Sequence, residues 1–266
     1  ESPENSRLFP REHITHRPIP MTIEDIADKV RSGSRISVQD GVRLLAHPNI
    51  VELGLLADEV RRRLHTEDVV TYNIGRNINY TNVCWVQCKF CAFYRLPKAA
   101  DAYVLPHEEI YAKIQALVDV GGYEILIQGG LNPKLRIDYF EDLFGNIRAR
   151  FPGVHIHGLS VSEILYIAKI SKLSLEESLV RLRDAGMATI PGAGGEILDD
   201  EARDIIAPYK DSTEEWLHVM RVAHGLGMRS TATMMYGHVE SIEHRIKHLM
   251  RVRELQDETG GFTAFA

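Results

Sequence analysis

All three cysteines of this 266-residue chain lie close together, as Cys84, Cys88 and Cys91. An odd, clustered set of thiols cannot form the paired framework that stabilises small secreted proteins. Free thiols persist in a reducing compartment, so the sequence predicts a cytoplasmic protein. In that setting clustered cysteines are expected to act as metal ligands or catalysts rather than as structural crosslinks.

The composition predicts a globular chain with no nucleic-acid or membrane partner. Hydrophobic residues make up 44% and charged residues 26% of the chain, which is ordinary for a protein with a large core. The net charge of −6 and the pI near 6.1 argue against binding to nucleic acid or to anionic lipid. No apolar run approaches membrane-spanning length, and the polar N-terminus has no secretion signal. Because the first residue is Glu1, we expect that the natural start has been trimmed.

Residues 1–70 are predicted to form a helical extension that packs on a larger core, residues 71–266. Two segments begin with a hydroxyl residue and carry an acid three positions later, which is typical of helix N-termini. These segments start at Thr22 and at Ser37. A third amphipathic helix is predicted over roughly 49–64.

Beyond residue 70, short apolar runs alternate with helical patterns. This alternation predicts parallel strands joined by right-handed helical crossovers, and hence an α/β fold. A TIM-like (β/α) barrel is favoured over an open doubly wound sheet, because each polar motif follows a predicted strand, as at the mouth of a barrel. An eight-unit barrel needs more than six strands, so we expect that C-terminal strands are missing from this chain. The predicted strands are residues 76–81, 124–128, 154–159, 188–190, 230–236 and 262–266.

The cysteine spacing, Cys-x3-Cys-x2-Cys, indicates a metal centre on a loop after the first strand. A structural zinc ion usually has four protein ligands, often from two paired motifs, and the sequence has no second pair of cysteines. Three thiolates suit a four-iron cluster in which one iron has no protein ligand. Zinc completed by a histidine, in a protein without catalytic activity, remains the alternative.

The cysteine motif and its surroundings resemble the radical S-adenosylmethionine enzymes. Within that family the sequence is most similar to cyclases of the menaquinone pathway. Aminofutalosine synthases and deazaflavin-forming (FO) synthases share much of the second half and are the alternative. The stretches that carry this resemblance are NINYTNVC, CKFCAFYR, ILIQGGLNP, GEILDDEAR, ATMMYGHVES and RELQDETGGFTAF.

The resemblance implies a 4Fe–4S cluster on Cys84, Cys88 and Cys91, with S-adenosylmethionine bound at the fourth iron. It also implies a small nucleoside–benzoate substrate and a reductant such as flavodoxin or ferredoxin. The expected reaction begins with removal of a hydrogen atom from the 4′ carbon of the ribose. The resulting carbon radical then adds to the benzoate ring.

The family pattern also implies which residues contact the cofactor. An aromatic residue before the last cysteine packs near the adenine, and a Gly-Gly motif after the second strand approaches the cofactor through its backbone. For Ser160 and Glu163 a helix cap is an equally good interpretation, and Lys210, like Arg203, is alternatively a solvated charge on a helix. The cofactor-binding candidates are Phe90, Tyr94, Gln128, Gly129, Gly130, Ser160, Glu163, Glu196 and Lys210.

The catalytic candidates are Tyr236 and His238, which follow the fifth predicted strand. Together with Met234 they alternate along the chain, so they are expected to share one face of an extended segment. A histidine with a near-neutral pKa can accept or relay a proton, although a single histidine at this position is often structural. His155 and His157 on the third strand are weaker candidates.

Overall fold

The computed structural model describes residues 22–266, and its centre is one sheet of six parallel strands. Each strand pairs with the next one along the chain, so the order in the sheet is the order in the sequence. With right-handed crossovers this order places the connecting helices on one face, as in a partial TIM-like barrel. The α/β prediction is confirmed. The strands are β1 (Gly75–Asn79), β2 (Glu124–Gln128), β3 (His155–Gly158), β4 (Thr189–Ile190), β5 (Arg229–Ala232) and β6 (Phe262–Phe265).

Helices precede the sheet and connect its strands. The capping box predicted at Ser37 is present, and further capping boxes at Ser174 and Ser212 also fix where helices begin. The helices of the described chain are α1 (Glu24–Arg31), α2 (Val38–Ala46), α3 (Ile50–Leu64), α4 (His107–Val118), α5 (Ile137–Arg150), α6 (Val161–Ser171), α7 (Leu175–Ala185), α8 (Asp200–Ile206), α9 (Thr213–Gly225) and α10 (Ile242–Thr259). No helix within residues 22–266 is both long enough and apolar enough to span a membrane.

The side of the sheet that faces the helices is apolar and fully buried. Ile125 and Ile127 of β2 alternate with less buried neighbours, as expected for a strand with two different faces. Both isoleucines are 0% exposed. The helix residues that share this core include Ile110, Ile114, Phe140, Phe144 and Trp216.

Two local expectations are wrong. The fifth strand ends at Ala232, so Met234, Tyr236 and His238 do not form one continuous strand face. Near the start of the described residues, α1 is preceded by Ile23 rather than capped by Thr22, and no side chain caps it. In both places the local sequence pattern was compatible with the predicted element. The backbone hydrogen bonds of β5 nevertheless stop earlier than predicted, and those of α1 begin later.

The chain divides into two compact units, the second of which is Val69–Ala266. The first unit extends to Asp68, and its described part holds α1, α2 and α3. Ion pairs join α1 to α2 within this unit, with Arg43 2.7 Å from Asp25. Residues 1–21 of the predicted N-terminal extension lie outside the described residues.

Replacing Ile127 with Ala should lower the free energy of unfolding by about 2–5 kcal/mol, since the side chain is completely buried between β2 and its helices. Urea denaturation followed by circular dichroism measures this loss. Val120→Ala is the control, because Val120 is 65% exposed and its truncation should cost at most about 0.5 kcal/mol. Equal losses in the two variants would contradict the assignment of the core.

Candidate functional site

The three cysteines lie on a loop that follows β1 and closes on itself. The amide of Cys84 donates to the carbonyl oxygen of Arg95 at 2.9 Å. The amide of Arg95 in turn donates to the carbonyl oxygen of Asn82 at 2.7 Å. Farther along the loop, the amide of Lys89 donates to the carbonyl oxygen of Ile206 at 2.8 Å. Backbone hydrogen bonds therefore fix both the base of the cysteine loop and its outer part.

Arg95 also fastens the loop through its side chain. Its guanidinium donates to the carbonyl oxygens of Tyr94 at 2.9 Å and Ala92 at 3.2 Å, and to the carboxylate of Asp101 at 2.5 Å. A guanidinium suits this position because it presents five donors in a rigid plane. The spacing of the cysteines does not single out Arg95, and the only sequence signal is a cation just after the last cysteine.

The cysteine loop borders a cavity with a volume of about 130 Å³. One water needs roughly 10–15 Å³ on the same measure, so the cavity has room for part of a small molecule. Its walls come from segments that follow neighbouring parallel strands, whose carboxyl ends meet at one edge of the sheet. The predicted site residues that line it are Cys84, Cys88, Phe90, Cys91, Tyr94, Gly129, Gly130, Ser160 and Lys210.

Gly129 and Gly130 allow the end of β2 to approach the cysteine loop closely. A Cβ atom on Gly130 would lie 2.3 Å from the carbonyl oxygen of Val83 and 2.7 Å from the Cβ of Cys84. A side chain at this position is therefore incompatible with the observed backbone contact. This close approach is made to the cysteine loop, and the approach of the Gly-Gly motif to a cofactor stays a prediction.

Glu163 is buried, 2% exposed, and does not line the cavity of the cysteine loop. Its Oε1 accepts hydrogen bonds from the Tyr80 hydroxyl at 2.6 Å and the Gly129 amide at 2.8 Å. Its Oε2 accepts from the Ser160 amide at 2.7 Å and the Ser160 hydroxyl at 2.6 Å. Burial raises the pKa of Glu163, and these hydrogen bonds oppose that rise. Glu163 thus caps α6 and also holds the Gly-Gly segment against β1.

Lys210 is the cation of the cavity wall. Its Nζ lies 2.6 Å from Oε1 of Glu196 and 5.8 Å from the centre of the Phe90 ring. Burial lowers the pKa of Lys210, but the carboxylates of Glu196 and Asp211 outweigh this effect, so that the pKa is raised overall. Lys210 is therefore held as a cation beside an aromatic ring.

Arg203 fixes the loop that follows β4. It is 4% exposed and donates to the carbonyl oxygens of Gly194 at 2.9 Å and Gly195 at 3.0 Å, and to the carboxylate of Asp211 at 2.9 Å. The hydroxyl of Ser162, which lines the cavity, also donates to Asp211. Arg203 therefore has an internal structural role rather than a place in the cavity. The roles of Ser162 and Asp211 were not visible in the sequence, because they depend on a contact between distant segments.

The remaining predicted residues lie outside the cavity lining. Tyr236 is 68% exposed, and its ring lies 5.4 Å from the guanidinium of Arg245. The ring of His238 lies 3.0 Å from the carbonyl oxygen of Met235 through Nε2, and 3.2 Å from Glu240 through Nδ1. Neither catalytic candidate lines the cavity beside the cysteine loop, and their catalytic role stays a prediction. The other predicted residues that do not line the cavity are Gln128, Glu163 and Glu196.

The three free thiols are compatible with an iron–sulfur cluster. Three sulfurs bound to one tetrahedral zinc at about 2.3 Å would lie roughly 3.8 Å apart. Among residues 22–266, the three-residue ligand group with its atoms within 4.8 Å of one another is Asp199, Glu201 and His244, so at least two of the three cysteine sulfurs lie farther apart than this. Thiolates that bind separate irons of a cluster require such a wider spacing.

Cys88 is the thiol most affected by its surroundings. Burial raises its pKa to about 11, while the cation of Lys210 acts in the opposite direction. A cysteine binds metal as the thiolate, so ligation by Cys88 must release a proton.

The family model of the radical SAM superfamily matches residues 78–252. A cyclic dehypoxanthine futalosine synthase from Halalkalibacterium halodurans is 45% identical over 245 residues, which cover 92% of this chain and 66% of the relative. A 5-amino-6-(D-ribitylamino)uracil–L-tyrosine 4-hydroxyphenyl transferase from Methanosarcina mazei is 42% identical over 242 residues, covering 91% of this chain and 62% of the relative. The chain thus spans just under two thirds of the length of these relatives.

A solved structure supports the fold. Methylornithine synthase superposes with a TM-score of 0.70 at 19% identity, and the match covers 86% of this chain and 64% of that chain. At this identity the likeness concerns the fold alone.

Replacing Gly130 with Ala should reduce the amount of cluster that the protein holds. The added Cβ would overlap the backbone of Val83 and the side chain of Cys84, and relieving such overpacking typically costs about 1–3 kcal/mol. Iron and sulfide per chain, measured after anaerobic reconstitution, report the effect. Gly145→Ala is the control, since nothing lies within 4 Å of a Cβ at that helical position. Wild-type loading in Gly130→Ala would show that the close approach does not position Cys84.

Replacing Glu163 with Gln should destabilise the fold by about 1–3 kcal/mol, because an amide nitrogen cannot accept one of the hydrogen bonds that Gly129 and Ser160 donate. The free energy of unfolding in urea tests this. Glu177→Gln is the matched control in the capping box of α7, where one amide oxygen can still accept both hydrogen bonds from Ser174, and it should cost at most about 0.5 kcal/mol. A Glu163→Gln variant as stable as Glu177→Gln would contradict the positioning role.

Proposed function

The chain belongs to the radical SAM superfamily, and from that premise we propose that it converts dehypoxanthine futalosine to its cyclic form in menaquinone biosynthesis. The observation that carries this proposal is the 45% identity to a cyclic dehypoxanthine futalosine synthase over 92% of the chain. The matched region includes the cysteine loop and the segments that line the cavity. In the proposed reaction the 4′ carbon of the ribose loses a hydrogen atom and then joins the benzoate ring.

Members of this superfamily use a 4Fe–4S cluster and S-adenosylmethionine, which together supply the organic radical that removes a hydrogen atom. In this chain Cys84, Cys88 and Cys91 would bind three irons of the cluster. The rest of the protein has to place the substrate hydrogen next to the radical and to exclude water. The cavity beside the three thiols is the place where both requirements can be met.

The Gly-Gly segment is suited to bind an amino group of the cofactor through its carbonyl oxygens. Its amide groups are already used, because Gly129 donates to Glu163 at 2.8 Å and Gly130 donates to the carbonyl oxygen of Thr81 at 3.1 Å. The carbonyl oxygens are therefore the groups of this segment that can accept a hydrogen bond from a ligand. Glu163 keeps them in place although it does not line the cavity.

Lys210 and Phe90 are suited to the other parts of such a cofactor. The Phe90 ring is 39% exposed and can cover a flat heteroaromatic group at the cavity mouth. Lys210 carries a fixed positive charge beside that ring and can attract a carboxylate. Tyr94 and Ser160 complete the polar part of the same wall.

A second candidate function has its own support. The 42% identity to a 4-hydroxyphenyl transferase that is named for tyrosine and a ribitylaminouracil favours transfer of a tyrosine-derived group. Both candidates need the same cluster and cofactor, and they differ in the molecule that occupies the cavity. An external one-electron donor of the flavodoxin or ferredoxin type is proposed for either reaction.

Incubation with dehypoxanthine futalosine, S-adenosylmethionine and dithionite, after anaerobic reconstitution, should yield 5′-deoxyadenosine and a product two hydrogens lighter than the substrate. Mass spectrometry measures both. Cys91→Ala is the control and should form neither, because the cluster loses one of its three ligands. A parallel reaction with tyrosine and 5-amino-6-(D-ribitylamino)uracil tests the second candidate. A coupled product there, with no cyclised product from dehypoxanthine futalosine, would contradict the proposed function.

A further inference from the structure

The face of the sheet that points away from the helices, here called the inner face, is largely polar. Its residues alternate along each strand with the buried isoleucines of the helix-packed core. A closed TIM barrel usually fills its interior with branched apolar side chains, whereas a polar interior suits a bound polar molecule. The residues of the inner face on the first four strands include Asn77, Asn79, Leu126, Gln128, His155, His157 and Thr189.

Two histidines and a threonine form a hydrogen-bonded chain on the inner face. Oγ1 of Thr189 lies 2.7 Å from Nε2 of His155 and 2.7 Å from Nδ1 of His157. His157 and Thr189 stand opposite each other in the β3–β4 ladder, and His155 precedes His157 by two residues on the same face. Neighbouring strands therefore hold the three groups in line.

The hydroxyl of Thr189 determines how protons can be placed in this chain. A threonine hydroxyl has one proton to donate and can also accept. When it donates to Nε2 of His155, it accepts the N–H at Nδ1 of His157. In that arrangement Nε2 of His157 is unprotonated and can accept a proton.

We propose that Nε2 of His157 accepts the proton that leaves the substrate after ring closure, and that Thr189 and His155 relay the charge along the sheet. This inference rests on the proposed function. The relay runs from the carboxyl-terminal half of β3, nearer the cavity, towards the amino-terminal edge of the sheet. It makes His157 the proton acceptor and Thr189 and His155 its positioning residues.

When the ribose carbon has joined the benzoate ring, the C–H bond at the substituted ring carbon breaks and its electron pair stays in the ring. The proton moves to Nε2 of His157, and the one electron that has to leave would pass to a one-electron acceptor of the iron–sulfur class. The proton at Nδ1 can then move to Thr189, whose own proton passes to His155.

The surroundings of the chain support this direction of transfer. Burial lowers the pKa of His157, and the neighbouring His155 ring acts in the same direction, whereas Glu124 opposes them. A neutral imidazole can accept a proton, as a general base requires. Glu124 stands opposite His155 in the β2–β3 ladder, so its carboxylate lies on the same face of the sheet as the relay.

A His157→Gln variant separates proton removal from the earlier steps. We expect substrate-dependent formation of 5′-deoxyadenosine to stay close to wild type, while the cyclised product falls by about 100-fold, as for loss of a general base. His218→Gln, on the exposed face of α9, is the matched control and should leave both unchanged. Equal losses of 5′-deoxyadenosine and cyclised product would overturn the proposal, since His157 would then bind substrate rather than accept a proton. Wild-type product formation would also overturn it.

Two variants of Thr189 test the relay. Thr189→Val keeps the shape of the side chain but removes the hydroxyl, so cyclised product should fall relative to 5′-deoxyadenosine. Thr189→Ser keeps the hydroxyl and should restore the ratio of the two products. If Thr189→Val forms cyclised product and 5′-deoxyadenosine in the same ratio as the wild-type protein, the relay is overturned.

Nitrogen NMR of the histidine rings in the full chain tests the same hydrogen bonds without substrate. His157 should show a proton at Nδ1 and none at Nε2, and Thr189→Val should disturb this state while Thr189→Ser preserves it. A proton on Nε2 of His157 in the wild-type protein would overturn the proposal. If wild type converts no dehypoxanthine futalosine although the expected ring state is found, it is the proposed function that fails.

Discussion

The contact between the end of β2 and the cysteine loop is the constraint on which the site depends. Gly130 lies so close to Val83 and Cys84 that only a residue without a side chain fits there. Because β1 and β2 are parallel neighbours, their carboxyl ends meet at one edge, and the two following loops have to share a small space. The Glu163 carboxylate joins this contact to α6 by accepting from Gly129 and Ser160. Three consecutive strand–helix units are thereby tied together at the place where the thiols lie.

Two buried charged side chains, Arg203 and Asp211, support the cavity but do not line it. Arg203 and Asp211 are both nearly inaccessible and bind each other as well as the backbone of the loop after β4. Breaking a buried pair of this kind is costly, because the partner left behind is an unpaired charge in a poorly solvated place. The loop that carries Glu196 is therefore held before any ligand enters. Lys210 is the cation that reaches the cavity, and it does so from this prearranged segment.

The sequence predicted the fold and the position of the cysteine loop after β1, for physical reasons that apply locally. Strand–helix alternation and capping boxes such as Ser160 with Glu163 depend on nearby residues, and the structure has both. The cysteine spacing and the Gly-Gly pair were readable for the same reason. The positions of Tyr236 and His238 could not be predicted from the sequence. The end of β5 is set by pairing with neighbouring strands rather than by the alternation of side chains. Arg95 and Asp211 were missed since their roles arise from contacts that the sequence pattern does not encode.

The hydrogen bond between Lys89 and Ile206 has a consequence for how the protein is made. During synthesis from the N-terminus the cysteines emerge long before the residue that completes their loop, and domains acquire their long-range contacts only when the later segments are available. Until β4 and α8 have been synthesised, the cysteine loop has only the backbone hydrogen bonds at its base, among Asn82, Cys84 and Arg95. The nascent chain thus passes through a period in which three nucleophilic sulfurs are open to oxidation or to stray metal ions.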